Sequence, residues 1–345
     1  MTDKPVVVIS GAGGEIGHGL IQRIAAEGNY SILALDLRPL DPDLAKLCTE
    51  TVEGSILDTA LLEALASKYR VAGIFHLAAM LSTSGEAKPE LAHEVNVQGT
   101  LNLLTFANGE ANNAGANVRF LFPSSIAVYG APSISAKEQA GRITEEQFLM
   151  PTTMYGVNKL SCEHLGRYYT HHYRQLSSDR DPFHVDFRSL RFPGLISAFT
   201  VPSGGTSDYA PEMLHAAAKG EPYACFARPD TRIPFMAMPD AIDALMKLFE
   251  APAEALTTTA YNVGAFSPSA EEVRLKTLEA FPGAEITYQN DVKRQGILDT
   301  WPADVDDRRA RADWGWAPEY DFDRSFNEYL IPNIARRYAL SGTGS

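Results

Sequence analysis

The chain has 345 residues, of which 45% are hydrophobic and 21% are charged, so it can bury a large core as one large or two unequal domains. Lysine and arginine total 30 against 43 for aspartate and glutamate, and the net charge of −13 would repel a nucleic-acid backbone or an anionic membrane. A small anionic cofactor remains compatible with this charge, because the backbone N–H groups at a helix start bind phosphate locally.

The three cysteines, Cys48, Cys162 and Cys225, are far apart and form neither a CxxC pair nor a cluster with zinc-ligand spacing. We therefore expect reduced thiols in a cytoplasmic protein, with no bound metal. The first residues lead directly into a strand pattern, and no apolar run approaches the roughly 18 residues of a membrane span. The sequence predicts no targeting segment and no membrane segment.

In chain order, short β-branched or apolar runs alternate with helical patterns. Strands are predicted at 6–10, 31–36, 73–78, 119–125 and 186–191, and helices at about 15–27, 59–69, 90–108 and 153–174. This alternation predicts an α/β fold with a doubly wound parallel sheet of the Rossmann type.

The pattern loosens beyond residue 195, where loops rich in glycine, proline and serine separate short strand candidates at 260–263 and 284–289. We therefore expect a cofactor-binding domain over 1–195 and a smaller, mixed α/β substrate lobe over 196–340, with some chain exchange between them. The polar segments 133–147 and 175–182 are predicted to be surface insertions.

Three glycines follow the first predicted strand at Gly-x-x-Gly-x-x-Gly spacing: Gly11, Gly14 and Gly17. One glycine makes a tight turn, one lets the backbone approach a pyrophosphate, and one allows close packing of helix on strand. The N–H groups and the positive end of the next helix then face the phosphates. The second strand ends at Asp36, where a carboxylate can bond ribose hydroxyls and repel a 2′-phosphate, which favours NAD over NADP.

Two residues near this turn each admit two roles. Arg38 could accept a 2′-phosphate, although a solvated loop position is the favoured interpretation. Asp58 could bond the adenine amino group or cap the next helix, and the sequence leaves both roles open.

Tyr155 and Lys159 lie four residues apart, one helical turn, so both side chains can face one site. A nearby ammonium would lower the tyrosine pKa from about 10 and allow proton exchange near neutral pH. The preceding strand ends in Ser124 and Ser125, where open α/β sheets bind their ligands. Ser125 is the preferred candidate to bond a substrate oxygen, and Ser124 could instead be a structural hydroxyl.

Together these motifs resemble the extended short-chain dehydrogenase/reductase family, and the resemblance covers nearly the whole chain. The motifs are the Gly11–Gly17 turn, His76-Leu-Ala-Ala79, Asn96-Val-Gln-Gly-Thr100, Ser125 and Tyr155-x-x-x-Lys159. The resemblance implies that Ala78 and Ala79 pass beside the cofactor, that Asn96 supports the active site, and that 193–196 line the nicotinamide pocket. It also implies a homodimer formed through about 90–108 and 153–174. The candidate cofactor-binding residues are Gly11, Gly14, Glu15, Ile16, Gly17, Asp36, Ile56, Asp58, Leu77, Ala78, Ala79, Asn96, Tyr155, Lys159, Pro193, Leu195 and Ile196.

Within that family, the stretches 79–82, 191–197, 204–210 and 299–307 with 312–316 are similar to L-threonine 3-dehydrogenases of the short-chain type. The similarity implies oxidation of the secondary hydroxyl of L-threonine to 2-amino-3-oxobutanoate, with Tyr155 as general base and hydride transfer to nicotinamide C4. Trp314 and Trp316 are expected in the core. The candidate substrate-binding residues are Ser82, Ser125, Tyr155, Gly205, Thr206, Ser207, Arg232 and Trp301.

Two other functions use the same features. A nucleotide-sugar 4-epimerase would use the same serine, tyrosine, lysine and NAD reversibly, with Arg232 holding the diphosphate. A regulatory NAD-sensing protein would keep the fold without catalysis, and the intact Ser125, Tyr155 and Lys159 argue against it.

Overall fold

The computed structural model of the protein describes residues 4–66, 68–179, 181–202 and 205–341. The chain divides into two compact units. The first comprises Met1–Ser125, Met154–Arg191 and Ile242–Tyr261, and the second comprises Ile126–Thr153, Phe192–Ala241 and Asn262–Ser345.

Most strands belong to one large sheet. In chain order the strands are β1 Val6–Ser10, β2 Ser31–Asp36, β3 Glu50–Glu53, β4 Val71–His76, β5 Val118–Ser125, β6 Arg142–Ile143, β7 Val185–Phe192, β8 Gly194–Ile196, β9 Tyr223–Cys225, β10 Phe235–Ala237, β11 Ala260–Asn262, β12 Ile286–Tyr288 and β13 Asp304–Val305. Seven of them pair in the order β11-β7-β5-β4-β1-β2-β3. The pairs β1–β2, β2–β3, β1–β4 and β4–β5 are parallel. The order reverses at β1, which confirms the predicted Rossmann-type α/β fold.

The helices follow the strands in the alternation that the sequence predicts. They are α1 Glu15–Glu27, α2 Pro42–Ala45, α3 Thr59–Ala66, α4 Ser82–Ala87, α5 Pro89–His93, α6 Gly99–Ala114, α7 Ile134–Ala140, α8 Met154–His171, α9 Tyr209–Lys219, α10 Met238–Glu250, α11 Ala270–Ala280, α12 Val292–Thr300, α13 Arg308–Trp314, α14 Phe322–Arg324 and α15 Ile331–Ser341. A π-helix, Glu94–Gln98, joins α5 to α6. No helix of the described residues is long and apolar enough to cross a membrane.

Strand β1 lies at the centre of the hydrophobic core of the first unit. All five of its residues are buried, because both faces of a central parallel strand are covered, and such a strand reads as a continuous apolar run. Val6 and Val8 alternate toward one core cluster, where they join Leu33 and Leu35 of β2 and Leu103 of α6.

The second unit contains short parallel pairs, which are β8 with β10, β9 with β12 and β6 with β13. Segment 133–147, predicted as a surface insertion, instead supplies α7 and β6 to this unit. Lys137 is buried and donates to the Leu298 carbonyl at 3.0 Å, and buried Glu145 accepts from the Asn262 N–H at 3.1 Å. Most of the segment is exposed, as predicted, but its buried residues were not predicted, because polar side chains bonded inside a protein look, in sequence, like exposed ones. The described residues of 175–182 are largely exposed, as predicted.

Candidate active site

The glycine turn after β1 leaves no room for side chains at two of its positions. Gly11 has φ +71°, and a Cβ there would lie 2.5 Å from the Ala78 backbone nitrogen. A Cβ on Gly17 would overlap the carbonyl oxygen of Ala12, so glycine permits the close packing of α1 on the turn. Gly14 is the N-cap of α1, and no side chain caps that helix end. Glu15 and Ile16 begin the helix.

Asp36 faces this turn from the end of β2. Its carboxylate accepts hydrogen bonds from the Gly13 N–H at 2.9 Å and the Arg38 N–H at 3.2 Å, while the Arg38 side chain is exposed. Asp58 is exposed and accepts from the Leu61 N–H at 3.0 Å, the contact that a cap of α3 makes. Ile56 is buried beneath α6, where a Cβ on Gly99 would overlap it.

These residues fit a dinucleotide. The glycines keep the turn tight against the backbone of Ala12 and Ala78, and α1, a helix of 13 residues, presents its positive end there with no capping side chain. The Asp36 carboxylate lies next to the same turn, where it would accept from ribose hydroxyls.

The loop after β4, which contains Leu77, Ala78 and Ala79, is held by Asn96. The Asn96 amide accepts from the Met80 N–H at 2.7 Å and donates to the Met80 carbonyl at 3.0 Å. Asn96 lies in the π-helix, and such helical irregularities occur frequently at functional sites. Its side chain thereby fixes the backbone that passes beside Gly11.

Ser125, Tyr155 and Lys159 come together in the first unit. Ser125 ends β5, and its hydroxyl hydrogen-bonds with that of Tyr155 on α8. Both residues keep part of their surface accessible, whereas Lys159 is buried. The Lys159 ammonium donates to the Pro123 carbonyl at 2.6 Å and lies 5.5 Å from the centre of the Tyr155 ring.

The two adjacent serines have different surroundings. Ser124 is buried and donates to Glu163 Oε1 at 2.5 Å, whereas Ser125 is partly exposed beside Tyr155. Successive strand residues point to opposite faces, so only one of the two can face the site. This geometry favours Ser125 as the residue that bonds a substrate oxygen.

Burial controls the ionisation of the tyrosine and the lysine. It raises the pKa of Tyr155 to about 12, although the hydrogen bond with Ser125 acts in the opposite direction. It lowers the pKa of Lys159 to about 8. The net pKa of Tyr155 therefore lies above its ordinary value and not below it, because desolvation of the phenolate, which the expectation left out, is the largest effect.

His76 is a structural residue of the sheet. Its Nδ1 lies 2.8 Å from Ser10 Oγ and its Nε2 lies 2.9 Å from Thr100 Oγ1. The Thr100 hydroxyl donates to the Asn96 carbonyl at 2.5 Å, so it accepts from Nε2–H, and Nδ1 accepts from Ser10. Burial, assisted by the charge of Lys159, lowers the pKa of His76 to about 3, so the ring is neutral.

The candidates around the nicotinamide and the substrate are divided between the units. Ser82 begins α4 in the first unit and is partly exposed. In the second unit, Pro193 and Ile196 are buried and Leu195 is half-buried, at and beside β8. Trp301 is buried at the end of α12, and Trp314 and Trp316 pack with their ring centres 5.8 Å apart.

The segment from Gly205 to Ser207 is held at its first residue, and Gly204 lies outside the described residues. The Gly205 N–H donates to Asp208 Oδ2 at 2.6 Å, and its carbonyl accepts from Arg294 Nη2 at 2.6 Å. Thr206 is buried and Ser207 is half-buried.

Arg232 is engaged within the second unit. Its guanidinium pairs with Glu272 at 2.7 Å and donates to the Ser267 carbonyl. Arg232 therefore has a carboxylate partner at an exposed position.

Sequence reasoning missed two kinds of supporting residue. Glu163 and Arg191 form a buried ion pair beside Ser124, and Glu86 accepts from the Met154 N–H at 2.7 Å, at the start of α8. The position of Glu163, one helical turn after Lys159, is a signal that could have identified it. Glu86 carries no comparable signal.

The fold and these residues together define an enzyme class in which a doubly wound sheet binds a dinucleotide. The chain belongs to the NAD dependent epimerase/dehydratase family, whose sequence profile matches residues 7–264. Its cofactor is NAD, and it is an NAD-dependent enzyme of the extended short-chain dehydrogenase/reductase type.

Several relatives are similar over nearly the whole chain. The mitochondrial L-threonine 3-dehydrogenase of Bos taurus is 36% identical over 322 residues, which are 93% of this chain and 80% of that protein. A GalE-like L-threonine dehydrogenase from Cupriavidus necator, solved in its holo form, is 34% identical with a TM-score of 0.80, covering 98% of this chain and 100% of that one. A monomeric L-threonine 3-dehydrogenase from a metagenome, solved in its apo form, is 34% identical with a TM-score of 0.82, covering 96% and 99%.

Proposed function

We propose that the protein oxidises the secondary hydroxyl of L-threonine to 2-amino-3-oxobutanoate with NAD. The observation that carries the chemistry is the hydrogen-bonded pair of Ser125 and Tyr155, two partly exposed residues, beside a buried lysine. The substrate is suggested by relatives named as L-threonine dehydrogenases that align over nearly the whole chain.

In this mechanism, bound NAD supplies the acceptor for the hydride that leaves the substrate carbon. Ser125 donates a hydrogen bond to the substrate oxygen and orients it toward Tyr155. Tyr155, as phenolate, accepts the hydroxyl proton while the C–H bond breaks, and a ketone remains. Proton transfer of this kind is typically worth about 10² to 10⁴ in rate.

In this mechanism the positive charge of Lys159 favours the phenolate form of Tyr155. Because burial raises the pKa of Tyr155 to about 12, the proton-accepting form depends on positive charge beside the ring. With its own pKa at about 8, Lys159 is largely protonated at neutral pH and supplies that charge.

The amino and carboxylate groups of the substrate need their own partners. We assign the carboxylate to the hydroxyl donors of Thr206 and Ser207 in the second unit. In this proposal, residues 1–195 bind NAD and residues 196–340 select the substrate.

We also propose a homodimer formed through α6 and α8, and a reducing compartment such as the cytoplasm. Val157 and Tyr168 on α8 expose 42% and 41% of their surface, as side chains of a helix that pairs with a second copy would. The three cysteines carry free thiols, which favours a reducing environment.

A substrate screen with NAD separates the dehydrogenase from a nucleotide-sugar epimerase. The proposal predicts NADH accumulation with L-threonine and little with L-serine, a 3-hydroxy acid or UDP-glucose. Interconversion of UDP-sugars without net NAD reduction would establish the epimerase instead.

A further inference from the structure

A buried ion pair lies one turn along α8 from Lys159. Glu163 and Arg191 expose 5% and 3% of their surface. The guanidinium of Arg191 donates from Nε to Glu163 Oε1 at 2.9 Å and from Nη2 to Oε2 at 2.6 Å. Such a two-point contact fixes orientation as well as distance.

The same carboxylate also holds the strand that carries the catalytic serine. Glu163 Oε1 accepts from the Ser124 hydroxyl at 2.5 Å, and Lys159 donates to the Pro123 carbonyl at 2.6 Å. Two hydrogen bonds thus join helix α8 to β5, and the ion pair between Glu163 and Arg191 joins it to β7. All of these contacts lie within the first unit.

We propose that Glu163 and Arg191 are positioning residues for the catalytic set, which hold α8 against β5 so that Tyr155 and Lys159 face Ser125. Their opposite charges also set the electrostatic field in which the Lys159–Tyr155 pair exchanges its proton. The proposal rests on the catalytic roles of Tyr155 and Lys159 given above.

Three of the titratable groups around Lys159 are neutral at neutral pH and add no charge to this field. Tyr155 and Cys162 on α8 face Lys159 as neutral groups, since burial raises the pKa of Cys162 to about 11 and that of Tyr155 to about 12. His76 on β4 is neutral as well.

The charged groups of this cluster are therefore Glu163, one helical turn from Lys159 on α8, and its ion-pair partner Arg191 on β7. Burial lowers the pKa of Lys159, and negative charge on Cys162 or on Glu163 raises it. Cys162 holds its proton at neutral pH, so Glu163 supplies that charge, and its ion pair with Arg191 offsets part of it.

The sign of each substitution follows from the charge that it removes. Glu163→Gln removes a negative charge and keeps the shape, so the pKa of every nearby titrating group falls. Arg191→Met removes a positive charge, so the same pKa values rise. The double variant removes both charges, and its two shifts oppose each other.

The test follows the titration of Lys159 by NMR in protein labelled with ¹³C at the lysine ε-carbon. The Lys159 resonance is identified by its absence from Lys159→Arg. We expect a shift of about one pH unit downward in Glu163→Gln, a shift upward in Arg191→Met, and a value near that of the unmodified protein in the double variant. The pH profile of NAD reduction should move in the same directions.

Controls distinguish the proposed effect on Lys159 from misfolding and from a wrong assignment of the substrate. Glu328→Gln makes the same change in net charge at an exposed site and should leave the Lys159 titration unchanged. If one single variant does not fold, two other variants still test the proposal. Arg191→Lys keeps the positive charge and should leave the pKa of Lys159 unchanged. The double variant should show that the two opposite shifts of the Lys159 pKa cancel. Shifts in the same direction in both single variants, or no shift, would overturn the proposal. The NMR readout needs no substrate, so failure of L-threonine oxidation alone would not affect it.

Discussion

Ser124 and Ser125 show how burial separates two residues that the sequence could not separate. Both are serines at the end of a buried strand, and either hydroxyl could reach a substrate. In the structure one bonds a buried carboxylate and the other bonds the catalytic candidate Tyr155. The partner of Ser124 is 39 residues away in sequence, so no local pattern contains this contact.

Substitution of Ser125 by alanine should mainly lower kcat, whereas substitution of Ser124 should mainly lower the unfolding free energy. Ser125→Ala removes the donor to the substrate oxygen and should lower kcat about 10²-fold. Ser124→Ala removes a donor from Glu163 and should cost about 1–2 kcal/mol of unfolding free energy with a much smaller loss of kcat. Steady-state kinetics and urea unfolding measure both effects. Equal kinetic losses in the two variants would contradict the assignment.

The neutral state of His76 predicts a specific acid sensitivity. Its pKa falls from 6.5 to about 3 on folding, so between these values the unfolded chain binds more protons and stability falls as pH falls. His76→Gln can bond Ser10 and Thr100 but does not titrate in this range. Between about pH 7 and about pH 4, the variant should lose about 3 kcal/mol less unfolding free energy than the unmodified protein, measured with urea. Identical losses would mean that the pKa of His76 does not change on folding.

At the scale of elements, locally encoded features were predictable. The bounds of β1, α1 and β2 agree with the prediction, because an apolar run, a glycine turn and an amphipathic period are all local signals. Strand β3 was missed, since its residues Glu50–Glu53 alternate between exposed and half-buried at the sheet edge. Helix α7 and strand β6 were missed because their polar residues find partners far along the chain.

Two glycine-to-alanine substitutions test whether the turn after β1 requires a residue without a side chain. Gly11→Ala forces a side chain into the left-handed region and against Ala78, so it should cost about 1–2 kcal/mol of unfolding free energy and weaken NAD binding. Gly296 lies within α12 with open space around it, so Gly296→Ala should add about 0.5–1 kcal/mol and leave NAD affinity unchanged. Calorimetric titration with NAD measures the affinities. An unchanged NAD affinity in Gly11→Ala would contradict the assignment of this turn to the cofactor site.

At the scale of the whole molecule, the sequence indicated the family but not how distant segments are assembled. Each compact unit combines three separate stretches of chain, and β6 finds its partner β13 across much of the second half of the sequence. Pairings of this kind depend on tertiary contacts that no local periodicity encodes. The choice of substrate likewise depends on relatives and on a few motifs, since no charge pattern specifies threonine.

The proposed homodimer can be tested on α8. Tyr168→Glu places a charge on the exposed face of that helix and should shift the sedimentation coefficient from dimer to monomer, because a desolvated charge opposes association. Leu275→Glu introduces the same charge at an exposed apolar position of α11 and should leave the dimer intact. A monomeric unmodified protein would contradict the proposal.

The central claim, oxidation at C3 of L-threonine by the Ser125–Tyr155–Lys159 set, is tested most directly with L-threonine deuterated at C3. The protein is mixed with NAD and this substrate, and the reduced cofactor is examined by mass spectrometry. We predict that the deuterium appears in the reduced nicotinamide, and that Tyr155→Phe abolishes the transfer while retaining NAD binding. Reduced cofactor without deuterium, no net reduction, or full activity in Tyr155→Phe would contradict the claim.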